Sequence, residues 1–397
     1  MFSLLTALFI SIQSALLLPT SGETEPVLAE VEMSVDSDWE LVCDNAKTCR
    51  AVGYHSDASL YENPETHYPT SVLIKREMGK DEVVVKVNLD TFELPTEVTI
   101  LHPLEEAEFE MFIGDKSYGK LAWSKLPILL NDEQSKALLD NVHHGLPVEF
   151  RWQGKIWALS SEGMLETLQE MDREQGYQHT QSALVEKGSQ KAPTETYTYP
   201  QINPPKWLDA EPQFIDRDSE QGQKLQALLR HSTNESGMTL EDAHLSIWRN
   251  LAPNESGMTL EDCAVFQTDE EASYLPDEAK RFEVSRIDEH HTVVLGLCSL
   301  GAYQSDSVAW VVNQDFTEVK QVISDNIQAI EDESLTGAFK ARGIGDCWSM
   351  FNYHWDGNAF VNTYTASTGM CKGFMGGAWT LPITLFRLHD NPLPDFD

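Results

Sequence analysis

Six cysteines, at positions 43, 49, 263, 298, 347 and 371, narrow what this chain can fold into more than any other feature. Their number is even, and no two of them have the C-x-x-C spacing of a zinc ribbon or a thioredoxin-type site. Cys43 and Cys49 flank Asp44-Asn45-Ala46-Lys47-Thr48. A hairpin centred on Ala46 sets them opposite each other, about 4.5–5.5 Å apart at Cα and within bridging reach. Proximity along the chain pairs the other four as Cys263 with Cys298 and Cys347 with Cys371. Loop-closure entropy assigns the three bridges about 2.4, 3.8 and 3.5 kcal/mol of stabilisation respectively. Lasting disulfides belong to oxidising compartments outside the cytosol.

The amino terminus points to the same compartment. Leu4 to Leu18 is apolar except for Thr6, Ser11, Gln13 and Ser14, too short for the roughly 20 residues that span a bilayer. Pro19-Thr20-Ser21-Gly22 follows, so residues 1–22 read as a signal peptide, with cleavage after Gly22 or as late as Ala29. No Lys or Arg precedes the run, so either the start codon is misplaced or the amino terminus itself supplies the charge. No cysteine follows to accept a lipid and no later stretch is apolar enough to span, so no transmembrane anchor is expected and the address is periplasmic or secreted. Lys and Arg number 28 against 64 Asp and Glu, a net charge of -36. That balance repels nucleic acid and anionic lipid and attracts a cation or a basic protein. The chain has 397 residues, 41% of them hydrophobic and ten of them Trp. It can therefore bury about two domain cores.

Pattern along the chain divides it accordingly. Residues 38–175 carry strand signals at Trp39 to Cys43, Cys49 to Tyr54, Ser71 to Arg76, Val83 to Val87, Val148 to Trp152 and Lys155 to Leu159. Asn131 with Gln134 three residues on opens one helix, and Met164, Leu165, Leu168 and Met171 mark a second that Gly176 ends. Residues 176–205 are rich in Pro, Ser, Thr and Gln and read as a linker. In residues 206–390, Leu225, Leu228 and Leu229 give a helix, followed by strands at Phe282 to Ile287, Thr292 to Cys298 and Val308 to Val312. Asn-Glu-Ser-Gly-Met-Thr-Leu-Glu-Asp stands at 234–242 and again at 254–262. Two copies are too few for a solenoid and read as a local duplication. The expected fold class is α+β, with two mainly antiparallel β-rich domains, each with one or two helices, stapled by disulfides.

Asp356-Gly357 reads as a type I′ turn between Trp348 to Trp355 and Asn358 to Thr365. Opposed residues then sum to 713, which sets Phe351, Tyr353, Trp355, Phe360 and Tyr364 on one face. The row is either core or a flat stacking platform for a sugar or peptide. Asp216-x-Asp218-x-Glu220 imitates the start of a calcium loop but lacks its glycine, with Gln221 in that place. His290-His291 and His143-His144 lack the i, i+4 spacing of helical metal ligands. No metal, no other cofactor and no catalytic residue is expected. The nucleophile elbow, phosphate loop and dinucleotide fingerprint are missing from the sequence, and Cys298 near His291 is committed to a bridge.

Five motifs together carry a resemblance: Trp39-Glu40-Leu41-Val42-Cys43-Asp44-Asn45, Thr48-Cys49-Arg50-Ala51-Val52-Gly53-Tyr54, Cys298-Ser299-Leu300-Gly301-Ala302-Tyr303, Gly345-Asp346-Cys347-Trp348 and Thr368-Gly369-Met370-Cys371-Lys372-Gly373. With them the chain resembles an exported bacterial six-cysteine family catalogued as domain of unknown function 1176. The first half more faintly resembles invasion-associated locus B proteins, through Trp-x3-Cys-x5-Cys and Leu159-Ser160-x2-Gly163. The resemblance implies location and architecture, and no chemistry. The expected function is a non-enzymatic binding module of the cell envelope, its ligand or protein partner unspecified. The alternatives are an inhibitor or scavenger of a basic envelope-active protein such as lysozyme, and a cell-wall hydrolase working through carboxylates.

Overall fold

The computed structural model describes residues 37–92, 94, 107–122, 125–209, 211–230, 232, 263–268, 275–301, 304–389, 391–394 and 396. The expected signal peptide and the duplicated segment at 234–242 and 254–262 lie outside the described residues. The short β-branched and aromatic runs of residues 38–175 form strands, joined by three that the pattern does not mark, at 110–113, 116–120 and 128–129. In the first half these are β1 (Trp39–Cys43), β2 (Cys49–Tyr54), β3 (Thr70–Arg76), β4 (Val83–Leu89), β5 (Glu110–Ile113), β6 (Lys116–Lys120), β7 (Ile128–Leu129), β8 (Val148–Trp152) and β9 (Lys155–Leu159). They build two antiparallel sheets, ordered β1-β2-β3-β4-β7 and β6-β5-β8-β9. Between them lie Val72, Ile74, Val85, Val87, Phe109, Met111, Phe150 and Trp157, all buried. Alternation along β3 and β4 sends these residues to one side of the first sheet.

Among the described residues three α-helices accompany them: α1 (Asp57–Glu62), α2 (Asp132–Asp140) and α3 (Met164–Glu174). The Asn131 side chain accepts the Gln134 N–H at 3.0 Å, and the Gln134 side chain accepts the Asn131 N–H at 3.2 Å. This reciprocal pair satisfies two N–H groups that a helix start leaves unbonded. On α3, Met164, Leu168 and Met171 recur on one face and are buried. Part of the stretch expected as linker is packed. Tyr177 is buried with the Arg76 guanidinium 3.9 Å above its ring, and Arg76 pairs with buried Asp172 at 2.8 Å. Asp172 also accepts the N–H groups of Leu184 and Val185, at 2.8 and 3.1 Å. Polar anchors hold this segment, which a reading based on apolar periodicity does not register.

The second half holds β10 (Gln201–Ile202), β11 (Gln213–Asp216), α4 (Glu220–Leu229), β12 (Arg281–Arg286), β13 (His291–Leu300), β14 (Ser305–Asn313), β15 (Val319–Ile327), β16 (Ala329–Glu331), β17 (Ser334–Lys340), β18 (Trp348–Trp355), β19 (Phe360–Ser367), β20 (Leu381–Leu385) and β21 (Arg387–Leu388). Two antiparallel five-stranded sheets, β11-β12-β13-β14-β15 and β16-β17-β18-β19-β20, follow the chain order, and β10 pairs with β21 in parallel. β13 and β14 are buried on both faces, which explains their unbroken apolar runs. One face packs Val294, Val308 and Trp310 against Leu225 and Leu229 of α4 and against Cys263, Val265 and Phe266. The other packs Val293, Ala309 and Val311 against Leu335, Phe351 and Trp355 of the second sheet. The fold is thus mainly antiparallel β with a few helices. Its three disulfides are Cys43–Cys49, Cys263–Cys298 and Cys347–Cys371, the pairing expected from the sequence.

The 348–367 hairpin corrects the expected register. Trp355 pairs with Phe360 and Tyr353 with Asn362, a sum of 715, and beyond a bulge Asn352 pairs with Tyr364, a sum of 716. Asp356 is the cause. Its carboxylate accepts the N–H groups of Asn358 and Ala359 at 2.7 and 2.8 Å, and its own N–H donates to the Ala359 carbonyl at 3.0 Å. The Asx geometry closes a wider loop than the two-residue turn that Asp-Gly favours. One extra residue in β19 then turns every later side chain to the opposite face.

Candidate functional site

Four members of the expected stacking platform are core. Phe351, Tyr353, Trp355 and Phe360 are buried between the two sheets, and Trp355 has 0 % of its surface exposed. Trp207 packs edge-on against Phe360, and His291 lies 5.0 Å from the Trp355 ring. Tyr364, carried past the bulge, sits on the reverse face, half-buried and stacked on Phe396. These five residues therefore form no common surface. The histidine and calcium-like motifs serve local structure. His291 Nδ1 lies 2.9 Å from the Asp288 carboxylate, and the Asp216 carboxylate accepts the Asp218 N–H at 2.9 Å ahead of α4.

Ionisable side chains from both ends of the chain converge elsewhere, where the 368–380 loop lies across the outer face of β1, β2 and β3. Trp379 and Phe374 are buried there with Val52, Tyr54 and Leu73. Trp379 Nε1 donates to Ser71 Oγ at 2.7 Å, and Asn88 donates to the Ala378 carbonyl at 2.8 Å. Next to this apolar seat, Tyr54 donates its hydroxyl proton to Glu40 Oε1 at 2.5 Å, and the Met370 N–H donates to the same oxygen at 2.9 Å. Burial pushes the Glu40 carboxyl up, only partly offset by those two hydrogen bonds. Burial and the neighbouring Glu40 together push the Tyr54 phenol well above its ordinary range.

Lys372 sits one turn of the loop further on. Its ammonium donates to Asp38 at 2.8 Å and to Asp57 at 3.1 Å. Burial disfavours that charge, and the two carboxylates outweigh burial, so the Lys372 pKa lies above its ordinary value. His55, buried with Nδ1 3.3 Å from the Thr70 backbone N–H, has its imidazole pKa pushed down by burial. Asp346 completes the cluster. Arg342 grips it through both Nε and Nη2, Arg342 also donates to the Cys371 carbonyl at 2.8 Å, and Asp346 accepts the Gly373 N–H at 2.7 Å. Burial opposes ionisation of Asp346, but the hydrogen bonds from Arg342 and Gly373 prevail and hold its carboxyl below the ordinary range. Asp346, Cys347 and Cys371 place metal-capable atoms within 4.8 Å of one another, but both sulfurs are consumed in their bridge.

A second clip joins the halves at the turn between β1 and β2. The Asp44 carboxylate accepts the N–H groups of Ala46 and Thr48, each at 3.0 Å, together with Arg50 at 3.2 Å and the Tyr199 hydroxyl at 2.9 Å. Burial pushes the Tyr199 phenol up to about 12. The tight loop so formed presents Asn45 to β20. Asn45 donates to the Leu385 carbonyl at 3.0 Å and accepts the Leu385 N–H at 3.1 Å.

What this arrangement does chemically is hold loops. Glu40 and Tyr54 engage each other and the Met370 N–H, Asp346 engages Arg342 and the Gly373 N–H, and Lys372 engages Asp38 and Asp57; the segments so fixed carry exposed apolar tips at Ile344 and Met375. Sequence reasoning singled out none of these as a site. The available signal was that Glu40, Tyr54, Asp346 and Lys372 all stand within the five motifs, four of which meet at this junction.

Neither a curated protein nor a solved structure matches the chain. The likeness of the first half to invasion-associated locus B proteins remains one of motif alone. A family model described as "Protein of unknown function (DUF1176)" matches residues 34–385, which take in both halves and every motif residue of the junction, and the chain belongs to that family.

Proposed function

We propose that the protein is an exported, non-enzymatic binding module of a bacterial cell envelope, periplasmic or secreted. The observation that carries this reading is the closure of the junction: its carboxylates and cations satisfy one another and clamp loops whose tips are apolar and exposed. Three disulfides suit an oxidising compartment, as does the apolar run at the amino terminus.

A carboxylate hydrolase is the competing reading, favoured by one fact: Glu40 has the raised pKa that a general acid needs. Its Oε1, however, is engaged by Tyr54 and the Met370 N–H. Assay of the purified mature protein and its Glu40→Gln variant on peptidoglycan and a broad glycoside and ester panel separates the two. A binding module gives no turnover above background with either protein, and fractionated cells hold the bridged protein outside the cytosol. Turnover by the native protein that Glu40→Gln abolishes overturns the proposal, as does recovery of the mature chain from cytosol with free thiols.

A further inference from the structure

Three exposed apolar side chains stand on segments tied to the junction: Tyr61 of α1, 85 % exposed, and Ile344 and Met375, each 69 % exposed. The Gly376 N–H donates to the Gly345 carbonyl at 2.9 Å, which sets the segment bearing Met375 beside the segment bearing Ile344. Both are pinned from below. Asp346 accepts the Gly373 N–H, Arg342 donates to the Cys371 carbonyl, and the Cys347–Cys371 bridge joins the bases of the two loops. Tyr61 stands one helical turn from Asp57, which binds Lys372, and both Tyr61 and Asp57 lie close enough to Arg342 to act on its charge. Apolar tips held rigid on a satisfied polar base are the pre-organised anchors that protein partners use, because little conformational entropy is lost on docking.

Charge narrows the partner. Lys372 is held between Asp38 and Asp57, Arg342 is neutralised by Asp346, and Lys340 lies over the Trp348 ring. Asp57 and Glu62, on the same helix as Tyr61, stand exposed. The chain as a whole carries -36. That charge repels a second copy, an acidic protein and an anionic membrane alike, and draws in a basic protein. We propose that the Tyr61, Ile344 and Met375 shelf is the docking surface for a cationic protein, a reading that rests on the binding function proposed above.

The test uses the full mature chain with its bridges intact, titrated by calorimetry against a panel of purified basic proteins including lysozyme, with serum albumin as the acidic control. Binding to a basic member that weakens as salt rises, and at least tenfold in the triple variant Tyr61→Ser, Ile344→Ser, Met375→Ser, supports the proposal. Equal thermal midpoints of variant and native chain keep the comparison clean, since all three side chains face solvent. Binding that the triple variant leaves intact overturns the shelf while leaving a binding module elsewhere on the surface. No binding to any basic member overturns the choice of partner, and a dimer lost in the triple variant replaces it with a second copy. Turnover in the hydrolase panel instead removes the underlying reading.

Discussion

Gly369 shows how tightly the junction is built. Its φ is +87°, a region that L side chains rarely adopt, and a Cβ there would fall 2.0 Å from the Tyr54 hydroxyl and 2.8 Å from Glu40 Oε1. Gly53 answers a similar demand on the other side, because a Cβ would strike the Trp39 ring at 2.2 Å. With the loop seated this closely, ionisation of single groups at the seam feeds into stability. Asp346 is the clearest case, its carboxyl lowered from 3.8 by its hydrogen bonds against the pull of burial. A carboxyl depressed in the folded state contributes stability that is present above its unfolded pKa and is lost as pH falls through its folded pKa. Asp346→Asn should therefore cost about 2 kcal/mol at pH 7, below the roughly 3–5 kcal/mol for breaking a fully buried pair because Arg342 is half-exposed. The gap to the native protein should then narrow at pH 3, below the ordinary aspartate value of 3.8, where the unfolded chain binds a proton that native Asp346 resists. Urea midpoints at the two pH values check this, and a gap of equal size at both would show that charge plays no part in the contact.

The 348–367 hairpin separates what pattern reveals from what it conceals. Strand positions in β1, β2, β8, β9 and β18, the capping box of α2 and the cysteine pairing were legible because each rests on a local rule: alternation, a three-residue offset or proximity. Register was not, because Asp356 accepts two loop N–H groups and widens the turn, and a bulge beyond it reverses the face of Tyr364. The junction was illegible for a related reason. Glu40 and Met370 are 330 residues apart, and no periodicity links them. β17 was missed because Ser334–Lys340 mixes small and polar residues. Placement of the aromatic row can be tested at the level of the element. Trp355→Ala should destabilise by about 3–5 kcal/mol through loss of a fully buried indole. Tyr364→Ala, on the half-exposed face, should cost less than half as much. Equal penalties in chemical denaturation would mean that the hairpin buries its other face.

At the scale of the whole molecule, the question is whether the two halves unfold together. They are bound by contacts of different kinds: Asn45 extends the edge of β20, Trp379 is seated on Ser71, and Lys372 is paired with Asp38 and Asp57. Two of these three depend on the 368–380 loop, and that loop is tied to β18 through Cys347–Cys371. The bridge spans 24 residues, and loop-closure entropy gives it about 3.5 kcal/mol, provided that its only effect is on the unfolded chain. It also holds the loop on the first sheet, so removing it should loosen both halves at once. The double variant Cys347→Ala, Cys371→Ala is then expected to lower the stability of the whole chain by at least about that amount. Trp157, buried in the first core, and Trp355, buried in the second, report on the two halves separately. If the junction couples them, fluorescence from each, isolated by replacing other tryptophans with phenylalanine, follows one transition in the native protein, and both signals shift together in the variant. Two transitions in the native protein, with only the second-half signal shifting when the bridge is removed, would mean that the seam is a contact between independently folding halves.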